Sequence, residues 1–284
     1  MWEVGGIFSD QSPGDGLQGQ VGRRPDGGVT VPRMPTLPGA ATTALRDLLR
    51  APEASARVVG VHPSCVYVVT ADELVTLEAA DALGLPCSVR LGVDRSRRPF
   101  AGVRLGDRAV VGGGRVVAGP LTIPVVRWRL QRRPRRGPFA EARVEALARL
   151  MAAHPAPVPV DGSVRDLLGL GPGLTPAGDD VLAGMLVAVH SCEDLRAPLA
   201  AETTRLAPGR TTTLSAALLR HAADGAALPA VLDVADALTG HGSDADLARA
   251  LTRLVAVGHS SGAALAHGLL RGARTVAGRA EEAA

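Results

Sequence analysis

The sequence predicts an α+β protein in which a strand-rich, barrel- or sandwich-like N-terminal domain is followed by an all-helical C-terminal domain. Between residues 57 and 126, short runs rich in Val alternate with Gly, Pro and Asp, as is typical of small barrels and sandwiches. From residue 139 onward apolar residues recur at helical intervals, and the connections are short and hold Pro or Gly. A chain of 284 residues is long enough for both domains.

The N-terminal elements follow from local composition. Residues 1–38 are rich in Gly, Pro, Asp and Gln without periodicity, so we expect a disordered segment there. The strand-rich domain is expected over 39–128, with short helices at 42–49 and 72–83, where apolar residues have helical spacing. Strands are predicted, in chain order, at 57–62, 65–70, 88–91, 102–105, 109–111, 115–117 and 122–126.

An arginine- and proline-rich linker over 129–138 separates the two domains. We interpret its charges as those of a solvated linker, although an acidic partner or RNA would also suit such a run. The helical domain is expected over 139–276 and a disordered tail over 277–284. Helices are predicted at 141–153, 177–191, 196–206, 212–223, 228–239, 245–256 and 262–271.

Composition excludes several function classes. Aromatic residues make up only 2% of the chain and the net charge is +3, so a base-stacking nucleic-acid module is not expected. All 31 basic residues are arginine. The chain therefore has neither a Schiff-base lysine nor a P-loop lysine, and a cationic contact must come from arginine, a helix N-terminus or a metal.

The three cysteines, Cys65, Cys87 and Cys192, are far apart and odd in number, which argues against a disulfide framework or a zinc site. The first residues lack the apolar core of a signal peptide, and no apolar run is long enough to span a membrane. We therefore expect a cytoplasmic protein without membrane contact.

The most informative run is GLGPGLTPAGDD over residues 169–180. Gly171 and Gly173 permit backbone angles closed to other residues and allow a ligand to approach the main chain. Thr175 followed by Pro176 predicts an N-cap and the first helical residue. Such a loop presents the free N–H groups of a helix start, which suits an anion.

Gly178 leaves the first turn open, and two adjacent carboxylates follow it. Neighbouring helical residues point about 100° apart, so we expect one of Asp179 and Asp180 to face the loop and the other to hold a neighbouring segment. Two negative charges repel an anion unless a cation lies between them. The pattern supports either a neutral or amide-like ligand or a phosphate bridged by Mg²⁺, with Asp180 as the metal ligand. Both aspartates are candidate catalytic residues.

Two later loops also place hydroxyl groups at helix starts, over 209–215 and 258–262. Each is equally compatible with ordinary helix capping. A serine-hydrolase nucleophile is not expected there, since His259 is too close in sequence to serve easily as the base for Ser260. Together with the glycine loop they supply the candidate substrate-binding residues Gly171, Gly173, Thr175, Gly178, Thr211, Thr212, His259, Ser260, Ser261 and Gly262.

Three runs, GLGPGLTPAGDDVLAG at 169–184, TTTLS at 211–215 and GHSSG at 258–262, resemble a domain-of-unknown-function family that includes the AllH-like subunit of oxamate carbamoyltransferase, an enzyme of bacterial allantoin breakdown. The likeness covers roughly residues 55–275. It implies a multi-subunit enzyme that splits oxalurate with phosphate into oxamate and carbamoyl phosphate, alongside subunits resembling acyl-CoA synthetases. Ala263 and Ala264 stand where the family often has an acidic residue.

The leading hypothesis is therefore a subunit of a carbamoyltransferase-like complex that binds a small carboxylate, an amide or carbamoyl phosphate. Backbone N–H groups over 171–178 would hold the anionic group, and Asp179 or Asp180 would bind Mg²⁺ or an amide N–H. The alternative is a non-catalytic assembly or ligand-sensing subunit, in which the glycines serve only tight helix packing.

Overall fold

The structure, a computed structural model, describes residues 35–71, 73–240 and 243–282. From Pro35 onward the chain forms one compact unit. Eight strands close into a barrel in the N-terminal part, and helices make up the C-terminal part. The predicted α+β class, with a barrel-like region before a helical one, is confirmed. The exact domain boundaries stay a prediction.

Six of the eight barrel strands have four or five residues, and buried residues alternate with less buried ones along several of them. In spatial order the barrel runs β1-β5-β4-β3-β2-β6-β7-β8. Parallel pairing of β8 with β1 closes it; β4 and β5 are also parallel, and the remaining neighbours are antiparallel. The strands are β1 Gly39–Thr42, β2 Ala54–His62, β3 Cys65–Val69, β4 Leu74–Glu78, β5 Ser88–Leu91, β6 Arg108–Gly112, β7 Arg115–Ala118 and β8 Leu121–Arg129.

Two predicted elements of this half are wrong. The predicted helix over 72–83 is strand β4, Leu74–Glu78, in which all five residues are buried. Apolar residues at helical spacing do not distinguish a short helix from a strand covered on both faces. The predicted strand over 102–105 is a turn, closed by the N–H of Arg104, which donates to Asp107 Oδ2 at 2.8 Å. The expected first helix is shorter, α1 Arg46–Arg50, after a 3₁₀ turn.

All seven helices predicted for the second half are present, with ends shifted by at most three residues, except that α9 runs eleven residues past its predicted end. One short helix, α3, is not predicted by the sequence, since its four residues show no periodicity. The helices are α2 Glu141–Met151, α3 Val164–Leu167, α4 Ala177–Ala188, α5 Glu193–Leu206, α6 Thr213–Ala223, α7 Pro229–Leu238, α8 Asp244–Val255 and α9 Ser261–Glu282.

The predicted terminal disorder needs correction at both ends. Helix α9 continues to Glu282, so that part of the expected tail is helical. At the other end, the N–H of Leu37 donates to Thr122 O at 3.0 Å, which joins the residues before β1 to the barrel. The rest of the expected disordered segment, residues 1–34, lies outside the described residues.

Helices α4 and α9 pack at the centre of the helical part because glycines let their backbones meet. A Cβ at Gly184 would lie 2.2 Å from Leu265 O, and a Cβ at Gly268 would lie 2.0 Å from Val181 O. Both distances are far below a van der Waals contact. These two glycines therefore fix the position of α4 relative to α9, and with it the position of the predicted site.

The barrel and the helices share buried residues. Leu214 and Ala217 of α6 belong to the hydrophobic core of the barrel, and α6 packs against β4. The predicted linker also contacts the helices: the guanidinium of Arg132 forms salt bridges of 2.7 Å with both Asp233 and Asp236. The Arg132 side chain stays 47% exposed, so the interpretation of this run as a solvated linker stays a prediction.

No helix among the described residues combines the length and the apolar character that crossing a lipid bilayer requires.

Candidate functional site

The glycine loop over 169–176 leads directly into α4. The N-cap is Pro176, with φ −52° and ψ 139°, so the prediction of Thr175 as the N-cap and Pro176 as the first helical residue is wrong by one position. Thr175 is free to use its hydroxyl elsewhere. Its Oγ1 lies 3.0 Å from Ser261 Oγ, which connects the glycine loop to the start of α9.

The first turn of α4 already uses several of its N–H groups. Gly178 donates to Leu170 O at 2.9 Å, and the N–H groups of Asp179 and Asp180 turn back to Pro176 O. A Cβ at position 178 would lie 2.1 Å from Leu167 O, so glycine is required where α3 and α4 approach. Gly178 is buried and supports the helix start, and fewer N–H groups are available to an anion than the sequence indicates.

Gly171 and Gly173 lie on the exposed side of the same loop, with φ of +110° and +96°. These left-handed angles explain why glycine occupies both positions. Their assignment to ligand binding stays a prediction.

Asp179 is the centre of a buried hydrogen-bond network and is 1% exposed. Its carboxylate accepts the N–H of Gly169 at 2.8 Å, the hydroxyl of Ser215 at 2.7 Å and the hydroxyl of Thr211. Hydrogen bonds to a charged acceptor are among the stronger ones in proteins. The expectation that one aspartate holds a neighbouring segment is confirmed, and a catalytic role for Asp179 stays a prediction.

The threonine-rich loop supports the glycine loop from the side. Thr212 caps α6 by accepting the N–H of Ser215 at 3.0 Å, and its hydroxyl donates to Leu174 O at 2.5 Å. Arg210 donates to Arg165 O at 2.9 Å, so its guanidinium binds a protein carbonyl here. The loop thus acts both as a helix cap and as a clamp on residues 169–175.

The third loop precedes α9. Gly262 donates to Val257 O at 2.9 Å, and a Cβ there would lie 2.0 Å from Leu254 O, so this glycine is also needed for close packing. His259 is exposed and Ser260 is half-buried. Of the residues predicted in this loop, Ser261 is the one whose hydroxyl reaches the glycine loop.

Asp180 differs from its neighbour. It is 7% exposed, and its Oδ2 is buried with no hydrogen-bond partner among the residues that the structure describes. Burial raises the pKa of Asp180 to about 7; the hydroxyls of Ser261 and Thr175 oppose the shift and the charge of Asp179 adds to it. A carboxyl group that is part protonated near neutral pH can both donate and accept a proton.

The Asp180 carboxyl lines a cavity of about 210 Å³ between the barrel and the helices. Thr175 and Ser261 line the same cavity, whereas the other predicted site residues do not. Most of the surrounding side chains are aliphatic. Leu83 and Leu174, which also line the cavity, are 56% and 61% exposed.

The barrel side of this cavity could not be predicted from the motifs. Tyr67 of β3 and the segment around Leu85 and Pro86 form it. That segment is held by Glu78, 1% exposed, whose carboxylate accepts the N–H groups of Gly84 at 3.1 Å and Leu85 at 2.9 Å. Nothing in the local sequence of this segment resembles a binding motif.

A metal centre is not evident among the described residues, since no group of three or more His, Cys, Asp or Glu side chains is placed to hold an ion. The assignment of Asp180 to Mg²⁺ stays a prediction.

Residues 167–273 match the family model described as oxamate carbamoyltransferase subunit AllH. The match runs from the end of α3 into α9, so this stretch of the helical part is AllH-like. No solved structure matches the chain. The AllH-like region contains the glycine loop, the threonine-rich loop and the loop before α9, so the resemblance noted in the sequence is confirmed over these three segments. It does not include Tyr67, Leu85 or Pro86, so one wall of the cavity lies outside the match.

Proposed function

We propose that the chain is a subunit of a carbamoyl-transfer enzyme acting on a small ureido or amide carboxylate. The observation that carries the proposal is the AllH match, because its limits, 167–273, enclose the glycine loop, the threonine-rich loop and the loop before α9. The first and third of these meet beside Asp180, and the second contacts Asp179. The comparison names a subunit of oxamate carbamoyltransferase, which supports a role within a larger enzyme. Nitrogen or purine-ureide catabolism in the cytoplasm is the corresponding setting.

Asp180 is the proposed acid–base group. When a ureide is split by phosphate, a phosphate oxygen attacks the carbamoyl carbon and the bond to the amide nitrogen breaks. The proton of hydrogen phosphate must then reach that nitrogen. A carboxyl with a pKa of about 7 can accept this proton from hydrogen phosphate and deliver it to the leaving nitrogen. No proton is gained or lost overall.

Thr175 and Ser261 are proposed to orient the substrate. Their hydroxyls lie 3.0 Å apart beside the carboxyl, so one donates to the other and one proton is left to donate to the carbamoyl oxygen, where negative charge develops during attack. Because Thr175 precedes α4 and Ser261 begins α9, the two hydroxyls fix the position of that oxygen relative to Asp180.

The anionic co-substrate needs a separate binding surface. None of the described residues lining the cavity is an arginine or a histidine. We propose that phosphate or carbamoyl phosphate is held at the exposed glycine loop, together with a partner subunit resembling an acyl-CoA synthetase. Mg²⁺ is an additional proposed contributor at that surface.

Asp180→Asn tests the catalytic assignment in the assembled enzyme. The chain is purified with its partner subunits by a tag, and carbamoyl phosphate formation from ureido carboxylates is measured. We expect kcat to fall by about 100-fold or more, the usual contribution of a general acid–base group. Asp194→Asn is the matched control, because Asp194 also lies in the first turn of a helix but is exposed. Unchanged turnover of Asp180→Asn in an intact complex would overturn the proposal.

The alternative function is a non-catalytic assembly or ligand-sensing subunit. One observation favours it: Gly178 and Gly262 are both explained by backbone packing without a ligand. In that case the Asp180 variant keeps full turnover, and variants that disturb packing reduce the amount of complex formed.

A further inference from the structure

We infer that the arginine- and proline-rich linker completes a binding site for a phosphate group, free or carried by a small organic molecule, at the end of α4 remote from Asp180. The site is a cavity of about 460 Å³ between residues 136–138 of the linker, the turn that joins α4 to α5, and Val276 of α9. This volume lies within the range of about 300–1,000 Å³ that small-molecule sites have. None of its described lining residues also lines the cavity around Asp180.

The linker brings an available guanidinium to this cavity. Arg136 lines it, is exposed, and forms no hydrogen bond or ion pair with any residue that the structure describes. Its neighbour Arg133, by contrast, donates to Asp224 O at 2.8 Å. A planar guanidinium with unused N–H groups matches two oxygens of a phosphate. The charge run of the linker thus provides an arginine whose donors are available to a ligand.

His190, in the 3₁₀ turn after α4, lies where several arginine charges converge. It lines the cavity, and its Nδ1 is buried without a hydrogen-bond partner among the described residues. Burial lowers the pKa of His190, and the charges of neighbouring arginines lower it further. These are Arg196, Arg133 and Arg136, and the charge of Asp224 opposes their effect. The convergence indicates a positive potential at the ring, which a bound phosphate would offset.

The other groups of the cavity are compatible with an anion. Glu193 lines it, but its carboxylate accepts N–H groups of Arg196 at 2.6 and 2.9 Å, so its charge is offset. Cys192, the N-cap of α5, makes no side-chain cap, and the N-terminus of this 14-residue helix adds the partial positive charge of its dipole. The exposed hydroxyl of Ser191 is a further donor. Val276 supplies an apolar wall for an organic part of the ligand.

The cavity is separate from the proposed reaction site. Asp180 lies in the first turn of α4 and His190 just beyond its last, and the rise of 1.5 Å per residue places them about 15 Å apart. A phosphate bound beside His190 therefore cannot react with a substrate held at Asp180. Binding here goes beyond the proposed function and does not depend on it.

The test follows the ring of His190 in the full chain alone by proton–carbon NMR at constant ionic strength. The ligands are inorganic phosphate and glycerol 3-phosphate, with glycerol as the neutral control, and the signal is assigned from its loss in His190→Gln. We expect both phosphates to shift the signal and raise the pKa of His190, because their charge offsets that of the arginines, while glycerol has no effect. Tighter binding of glycerol 3-phosphate would identify an organic phosphate as the ligand, and equal or tighter binding of inorganic phosphate would identify free phosphate.

Two arginine variants locate the phosphate. Arg136→Gln should weaken binding about tenfold or more, as expected for the loss of a charge-assisted hydrogen bond. Arg205→Gln is the matched control, because Arg205 is also exposed and without a partner among the described residues but lies in the last turn of α5. It should leave the affinity unchanged. Near-ultraviolet circular dichroism checks that both variants are folded.

Three results would overturn the assignment. One is an unchanged His190 signal at about 10 mM of either phosphate, a concentration well above a millimolar Kd. Another is phosphate binding in calorimetry that leaves the His190 signal unchanged, which would place the anion on another surface, such as the glycine loop. The third is equal weakening in Arg136→Gln and Arg205→Gln, which would show a general effect of charge. Because the chain is tested without partner subunits, each result leaves the carbamoyl-transfer proposal to its own experiment.

Discussion

The stability of the folded chain should depend on pH through Asp180, and Asp180→Asn should remove that dependence. The pKa of this carboxyl is raised from 3.8 to about 7 on folding, mainly by burial. The folded state therefore holds the proton more tightly than the unfolded state. The protonated carboxyl stabilises the fold fully below the pKa that Asp180 has in the unfolded state. This stabilisation is lost as the pH rises through the pKa that Asp180 has in the folded state.

The rise of this pKa from 3.8 to about 7 means that, above neutral pH, the ionised carboxylate lowers the free energy of unfolding by about 4 kcal/mol. An asparagine cannot ionise, so its advantage over the wild-type residue should grow by about 2.5 kcal/mol between pH 5 and pH 8. Any cost of burying the amide NH₂ is the same at both pH values. Urea unfolding of both proteins at the two pH values measures the difference, with Asp194→Asn as control. Parallel pH profiles for the wild type and Asp180→Asn would refute the reasoning.

Three further predictions concern packing, hydrogen bonding and thiol chemistry. Gly178→Ala should lower the free energy of unfolding by about 1–3 kcal/mol, since its Cβ would meet a backbone carbonyl. Gly278→Ala, in open space within α9, should raise it by up to about 1 kcal/mol. The urea midpoint should therefore fall in the first variant and rise in the second, and a change in the same direction in both would contradict this. Ser215→Ala removes a 2.7 Å hydrogen bond to a buried carboxylate and should cost about 1.5–3 kcal/mol of unfolding free energy in denaturant titration. Burial raises the pKa of Cys87 to about 12, so iodoacetamide should modify half-buried Cys65 before it in native protein, as followed by mass spectrometry; equal rates would be inconsistent with the structure.

The helical half was predictable because its signals are periodic and local. The spacing of apolar residues repeats over 10 or more residues in α2, α6, α7 and α8. Strand β4 was not, because its five residues are buried on both faces and carry no alternation. Which strands neighbour each other was likewise not predictable, since parallel pairing of β8 with β1 joins residues that are far apart in the chain.

The site was predictable in part for the same reason. Glycines, threonines and aspartates at helix starts mark the three loops that the structure brings together, and Ser261 and Thr175 meet as expected of one site. The sequence does not distinguish the roles of Asp179 and Asp180, because both lie in the first turn of α4. Their difference depends on what surrounds them: hydroxyls from α6 for one, and an apolar cavity for the other.

Because α6 shares a hydrophobic core with the barrel, the barrel and the helices cannot be separated without exposing buried side chains. Leu214 and Ala217 lie inside the family match, yet the residues they pack against in the barrel lie outside it. A fragment cut at the limits of the match would expose these side chains to water and open the cavity on one side. The barrel and the helices should therefore unfold in a single transition, and each half expressed alone should aggregate.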